Sequence, residues 1–218
     1  MSGHLLRPGI VLVLACTLAW IALHHPVQPA AAALLPPGGT SPVPPGSALF
    51  QVADGLSTVF TAEVQYWAQS IQAWATVTSL DPNLVATVMQ IESCGDMQAR
   101  SRSGAIGLFQ VMPYHFRASE NPYDPDMNAL RGLDYLRRSL EAAGGDPRMA
   151  LAGYNGGISV IGRGEASWAA ETIRYVYWGS GIYAEATRGA GESVRLQEWL
   201  NAGGESLCSK AHLRLGLP

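Results

Sequence analysis

The sequence predicts a mainly α domain with one loop-rich or small β insertion, and three observations carry that prediction. Apolar residues recur at helical spacings of three to five between 56 and 79. Prolines stand at the starts of two later apolar segments, at Pro82 and Pro147, where a missing N–H does no harm. A Ser/Gly-rich stretch, 98–115, interrupts the helical pattern and reads as loop with short strand pieces. No period of 20–50 residues recurs, which argues against a repeat array.

The elements follow in order. A charged start at His4 and Arg7 precedes the apolar run 10–23, and alanines follow at 30–33. This describes either a cleaved secretory signal or a retained membrane anchor, so residues 1–35 are set apart from the fold. Cys16 sits inside that run as one of its small apolar residues. Residues 36–48, rich in Pro, Gly and Ser, form a linker with little to bury. The domain proper runs from 49 to 190, and 191–218 forms a C-terminal helical extension.

Within the domain, Val59, Val64, Trp67, Ile71, Trp74 and Val77 mark one long amphipathic helix over 56–79. Asp81 caps a helix over 82–93 that Gly95 ends in a left-handed conformation. After the turn N-P-Y-D-P-D, Asp126 is placed to cap a helix over 127–142, which stops at Gly144 and Gly145. Short helices follow over 147–154 and 168–178, then 192–201 and 205–215.

Charge excludes some functions. With a formal net charge of −3 and a single lysine, Lys210, the chain lacks the basic runs that grip nucleic acid. His115 and His212 are isolated and His24-His25 border the apolar run, so no metal-ligand spacing exists and no cofactor is expected. Removing the signal leaves Cys94 and Cys208, an even pair that in an exported protein favours a disulfide; two free thiols are the alternative.

Glu92 is the position that suggests chemistry. On a helical wheel it projects from the face shared by Val85, Val88 and Met89, near the helix C-terminus. Apolar surroundings and the negative helix end both favour the protonated carboxyl, which suits a general acid. Periodicity alone equally allows a helix end emerging into water. Downstream, S-R-S-G-A-I-G-L-F-Q-V-M-P (101–113) supplies hydroxyls and an amide, and L-A-G-Y-N-G-G (151–157) a phenol and a second amide.

Together these segments resemble the soluble lytic transglycosylases, the goose-lysozyme-like (SLT) enzymes that cleave peptidoglycan. E-S-C-G-D matches the family's Glu-Ser, S-G-A-I-G-L-F-Q-V-M-P its G-A-x-G-L-M-Q loop, and N-P-Y-D-P-D-M-N-A-L-R-G-L-D-Y-L its acidic turn and helix. L-A-G-Y-N-G-G matches A-Y-N-A-G, and E-T-I-R-Y-V a late E-T-x-x-Y-V helix. The resemblance implies a lysozyme-like fold in which Glu92 is the sole catalytic acid/base. Ser101, Ser103, Gln110, Met112, Tyr154 and Asn155 would contact the glycan, and Glu171 would support the tyrosine from behind. It further implies an extracytoplasmic, bacterial, monomeric enzyme that cuts the MurNAc-β-1,4-GlcNAc bond and leaves a 1,6-anhydro end. Phe109, Gly153 and Cys94 depart from the family pattern without removing a catalytic group. A hydrolysing lysozyme or chitinase on the same fold, and a non-catalytic wall-binding module, are the competing expectations. Trp67, Trp74, Trp168 and Trp178 stand at helical spacing, which assigns them to packing before sugar stacking.

Overall fold

A computed structural model describes residues 55–218; the expected signal or anchor, the linker and the first residues of the domain lie outside this range. Eight α-helices account for most of it: α1 (Ala62–Gln65), α2 (Ala68–Thr78), α3 (Pro82–Glu92), α4 (Pro125–Ala142), α5 (Pro147–Gly156), α6 (Ala170–Thr187), α7 (Val194–Trp199) and α8 (Glu205–Leu215). Helix α3 runs through the centre, packed against α1, α2 and α6, while α4, α5 and α6 follow one another side by side. The expected mainly helical fold is present. None of the described helices is long and apolar enough to cross a membrane.

Helix α3 starts as its sequence dictates. The Asp81 carboxylate accepts from the N–H groups of Asn83 and Leu84, at 2.8 and 3.2 Å, with Pro82 at the first helical position. The wheel implied one apolar face, yet every residue from Pro82 to Gln90 is buried. Its polar residues tolerate burial because each is bonded. Asn83 Oδ1 accepts from Ser57 N at 3.0 Å, and the Thr87 hydroxyl donates to the Asn83 carbonyl at 2.7 Å. Gln90 Oε1 accepts from the backbone N–H of Thr61 at 3.2 Å.

Five expectations change. The single helix over 56–79 is two, broken at Tyr66 and Trp67, where the Trp67 indole turns inward to donate to the Gly95 carbonyl at 2.9 Å. Val77, expected on the apolar face, is exposed. Asp124, not Asp126, caps α4: Pro125 occupies the first helical position and disfavours helical geometry in the residue before it. Asp124 accepts from Met127 N at 2.8 Å, and Asp126 instead accepts the Trp74 indole N–H at 2.8 Å. Helix α6 continues to Thr187 through two glycines. Gly179 permits close approach to α5, since a Cβ there would stand 3.1 Å from Leu151 Cδ1. The strand pieces expected in 98–115 reduce to two isolated bridges, Arg100 to Ile106 and Ile106 to Val111.

Helix α8 returns to the start of the domain. Cys208 is disulfide-bonded to Cys94, His212 Nδ1 lies 2.9 Å from Glu63 Oε1, and Arg214 pairs with Asp96. The C-terminal segment is thereby fastened to the residues just beyond Glu92.

Candidate active site

Glu92, Ser101, Ser103, Gln110, Met112, Tyr154, Asn155 and Glu171 line one cleft of about 490 Å³. Glu92 arrives there because α3 ends at it and the chain reverses directly after. Ser93 leaves helical geometry, and Cys94 and Gly95 take left-handed φ values of 53° and 82°. Gly95 has no room for a side chain: a Cβ would stand 2.7 Å from the Glu63 carbonyl oxygen.

The loop after α3 is held by side chains from three helix ends and faces. The Ser93 hydroxyl donates to the Leu108 carbonyl at 2.7 Å. Asn128, buried on α4, accepts from Phe109 N at 2.9 Å and donates to the carbonyls of Ile106 and Pro122 at 2.8 and 3.0 Å. Tyr154, on α5, donates its hydroxyl to the Phe109 carbonyl at 2.7 Å. Gly107 carries a left-handed φ of 76°, and a Cβ on it would lie 2.4 Å from Asn128 Nδ2. These anchors place Gln110, itself at φ 46° with its amide donating to the Gly107 carbonyl at 3.0 Å, on the cleft wall. Ser101 and Ser103 are exposed at the rim, and the Ser101 hydroxyl oxygen accepts from Ala105 N at 2.9 Å.

Electrostatics single out Glu92. It keeps contact with the solvent of the cleft but is otherwise walled in by protein. That burial is the largest influence on its carboxyl, raising the pKa from 4.5 to about 8. Tyr175 pulls the other way through its hydroxyl, and the negative charge of Glu171 adds to the rise. The Tyr175 hydroxyl is buried without a partner at hydrogen-bonding geometry, so its hold on Glu92 is looser than a formed bond. A carboxyl with this value is protonated at neutral pH and can donate.

Glu171 is exposed and shares the cleft, and the Tyr154 hydroxyl it was expected to support is held by the Phe109 carbonyl instead. Asn155 is oriented from α6, where the buried Thr172 hydroxyl donates to its Oδ1 at 2.8 Å. Trp67 and Trp168 are core residues, and neither Trp74 nor Trp178 lines the cleft.

Sequence reasoning missed several residues. Tyr114, His115, Arg131 and Tyr135 line the cleft, Tyr175 lies behind Glu92, and Asn128 clamps the loop. Tyr175 was within reach, one helical turn beyond Glu171. Asn128 had no local signal, because its partners lie six to twenty-two residues away.

Residues 69–175 match the transglycosylase SLT domain family. Over 111 residues the chain is 39% identical to a transglycosylase of Enterobacteria phage PRD1, covering 50% of this chain and 40% of that protein. The chain therefore spans about 40% of that curated relative's length. Among solved structures, an inactive mutant of the lytic transglycosylase Slt from Pseudomonas aeruginosa aligns with a TM-score of 0.40 at 19% identity, over 69% of this chain and 24% of that one. Residues 69–175 thus carry a transglycosylase SLT domain.

Proposed function

We propose that the chain cleaves the MurNAc-β-1,4-GlcNAc bond of peptidoglycan without water, leaving a 1,6-anhydro-MurNAc end, with Glu92 as the sole acid/base. The observation that supports this reading best is the carboxyl of Glu92, raised to about 8 in a cleft lined by serines, amides and phenols. A glycosidase with two catalytic carboxylates needs a second acid at a defined separation. Glu171 is the other described acid lining the cleft, and several acids elsewhere in the domain are already engaged. Asp81 and Asp124 cap helices, Asp126 holds Trp74, Asp96 pairs with Arg214, and Glu120 pairs with Arg131.

A one-acid mechanism balances without a second group. Glu92 gives its proton to the glycosidic oxygen, and the C1–O bond to the leaving GlcNAc breaks. The substrate's N-acetyl oxygen supports the carbon left behind. The 6-hydroxyl then attacks C1, and the Glu92 carboxylate takes its proton, so the enzyme returns to its starting state. The internal nucleophile has the advantage of proximity over water. Tyr154 and Gln110 frame the sugar, and the anchored loop keeps both in register with Glu92. Peptidoglycan as substrate places the enzyme outside the cytoplasm.

Hydrolysis on the same fold is the competing reading, and exposed Glu171 in the same cleft favours it over wall binding alone. Mass spectrometry of muropeptides released from cell wall separates the two, because the transglycosylase product is one water lighter than the hydrolytic one. Glu92→Gln is expected to abolish release. Reducing-end products from the wild type would overturn the proposal, as would lysis that survives Glu92→Gln.

A further inference from the structure

One part of the cleft is a continuous row of rings of which the chemistry above uses only the inner end, Tyr154. Tyr114 lies 4.5 Å from His115 between ring centroids, His115 is 5.5 Å from Tyr135, and Tyr135 is 5.9 Å from Tyr154. All four line the cleft that holds Glu92. The Tyr154 end is fastened to the Phe109 carbonyl, whereas Tyr114 at the other end is 75% exposed. A single exposed tyrosine is ordinary. An exposed one that continues a row of rings leading from a site residue is a prepared surface.

The row is held in shape. Pro113 opens a short 3₁₀ turn over Pro113–His115, closed by hydrogen bonds from His115 N to the Met112 carbonyl at 3.0 Å and from Phe116 N to the Pro113 carbonyl at 3.1 Å. A fixed turn lowers the ordering cost of binding. The surface is also neutral. Partial burial, with the Arg138 charge adding to it, holds His115 below its ordinary pKa. Arg131, which lines the same cleft, is engaged by Glu120 through Nε at 2.9 Å, and Arg138 is paired with Asp134 at 3.1 Å. These pairings leave little cationic character to recognise the carboxylates of a peptide. Electron-rich ring faces suit instead the polarised C–H face of a sugar.

We propose that Tyr114 and His115 form an outer subsite that stacks a pyranose ring beyond the two flanking the cleaved bond, so that the protein favours long β-1,4-linked amino-sugar strands over short ones. This rests on the glycan-cleaving reading of the cleft. Tyr114 is the residue to test, because its exposure lets it change without disturbing the core.

The experiment measures binding of the β-1,4-linked N-acetylglucosamine hexamer and trimer to the full chain carrying Glu92→Gln, by calorimetry. Adding Tyr114→Ala is expected to lower the hexamer-to-trimer affinity ratio about five- to tenfold. Tyr114→Phe, which keeps the ring, is expected to restore it. An unchanged ratio, equal losses for both oligomers, or failure of Tyr114→Phe to restore the ratio overturns the subsite alone, provided the wild type releases muropeptides from cell wall. Absence of binding to either oligomer also overturns the subsite. It removes the glycan reading as well only if the wild-type chain releases no muropeptide.

Discussion

The Ser93 hydroxyl donates to the carbonyl of Leu108 at 2.7 Å, fastening the residue after Glu92 to the far side of the loop that forms the cleft wall. The same oxygen accepts from Gly95 N at 3.1 Å, and both Ser93 and Leu108 are fully buried. One hydroxyl therefore supports the reversal of the chain after α3 and sets the distance between the acid and its loop. Asn128 and Tyr154 complete the arrangement on the next residue, Phe109, through its N–H and its carbonyl.

Ser93→Ala should consequently harm both fold and activity. It leaves a buried carbonyl and a buried N–H without a partner, a loss of roughly 2 kcal/mol of stability. Denaturant unfolding checks the first effect. Glycan-cleavage kinetics at a temperature where the variant is fully folded check the second, with a fall in kcat expected because the loop is no longer held against Glu92.

The raised value of Glu92 makes two pH predictions with the same origin. Turnover that needs the protonated carboxyl should hold through neutral pH and fall as pH rises through about 8. Stability should respond as well. Between 4.5 and about 8 the folded protein keeps a proton that the unfolded chain has released. The Glu92 contribution is thus fully present below 4.5, declines as pH rises through that window and levels off above about 8. Glu92→Gln, neutral at every pH, should be more stable than the wild type by roughly 2–4 kcal/mol at alkaline pH, after discounting for the open side of the cleft. The gap should close in acid. Thermal melts of both proteins at mildly acidic and mildly alkaline pH test this directly.

The bond between Cys94 and Cys208 joins positions 114 residues apart. A link across so long a loop restricts the unfolded chain strongly, and losing it should lower stability by about 2–5 kcal/mol. The paired variant Cys94→Ser with Cys208→Ser, or added reductant, tests this by unfolding. Helix α8 keeps its contacts through His212 to Glu63 and Arg214 to Asp96, so it should remain docked while the global transition moves down.

Much of this arrangement was legible because local chemistry announces itself. Asp81-Pro82 starts α3, Gly95 takes a left-handed φ in the reversal after it, and the hydroxyl, amide and phenol residues of one loop and the end of α5 belong with Glu92. Legibility failed where distant partners decide. Nothing local says that Trp67 will reach Gly95 and break a helix, or that Gln90 will be buried because Thr61 bonds to it. The row from Tyr114 to Tyr154 is assembled from the loop, α4 and α5, and only folding brings it together. The cap of α4 is a different kind of miss: the proline rule was available in N-P-Y-D-P-D and points to Asp124.

Glu171 decides between the two chemistries. It stands in the first turn of α6, exposed in the cleft, and its charge contributes to the rise at Glu92. If Glu92 acts alone, Glu171→Gln should keep wall cleavage and the anhydro product. Removing the negative charge should then move the alkaline limb of the pH profile to lower pH, since the protonated form of Glu92 loses one source of support. If Glu171 instead activates a water, the same change should cut activity by about 10²–10⁴-fold, and the wild-type products should carry the mass of an added water. A pH–rate series on the variant, read with product masses, distinguishes an electrostatic neighbour from a second catalytic carboxylate.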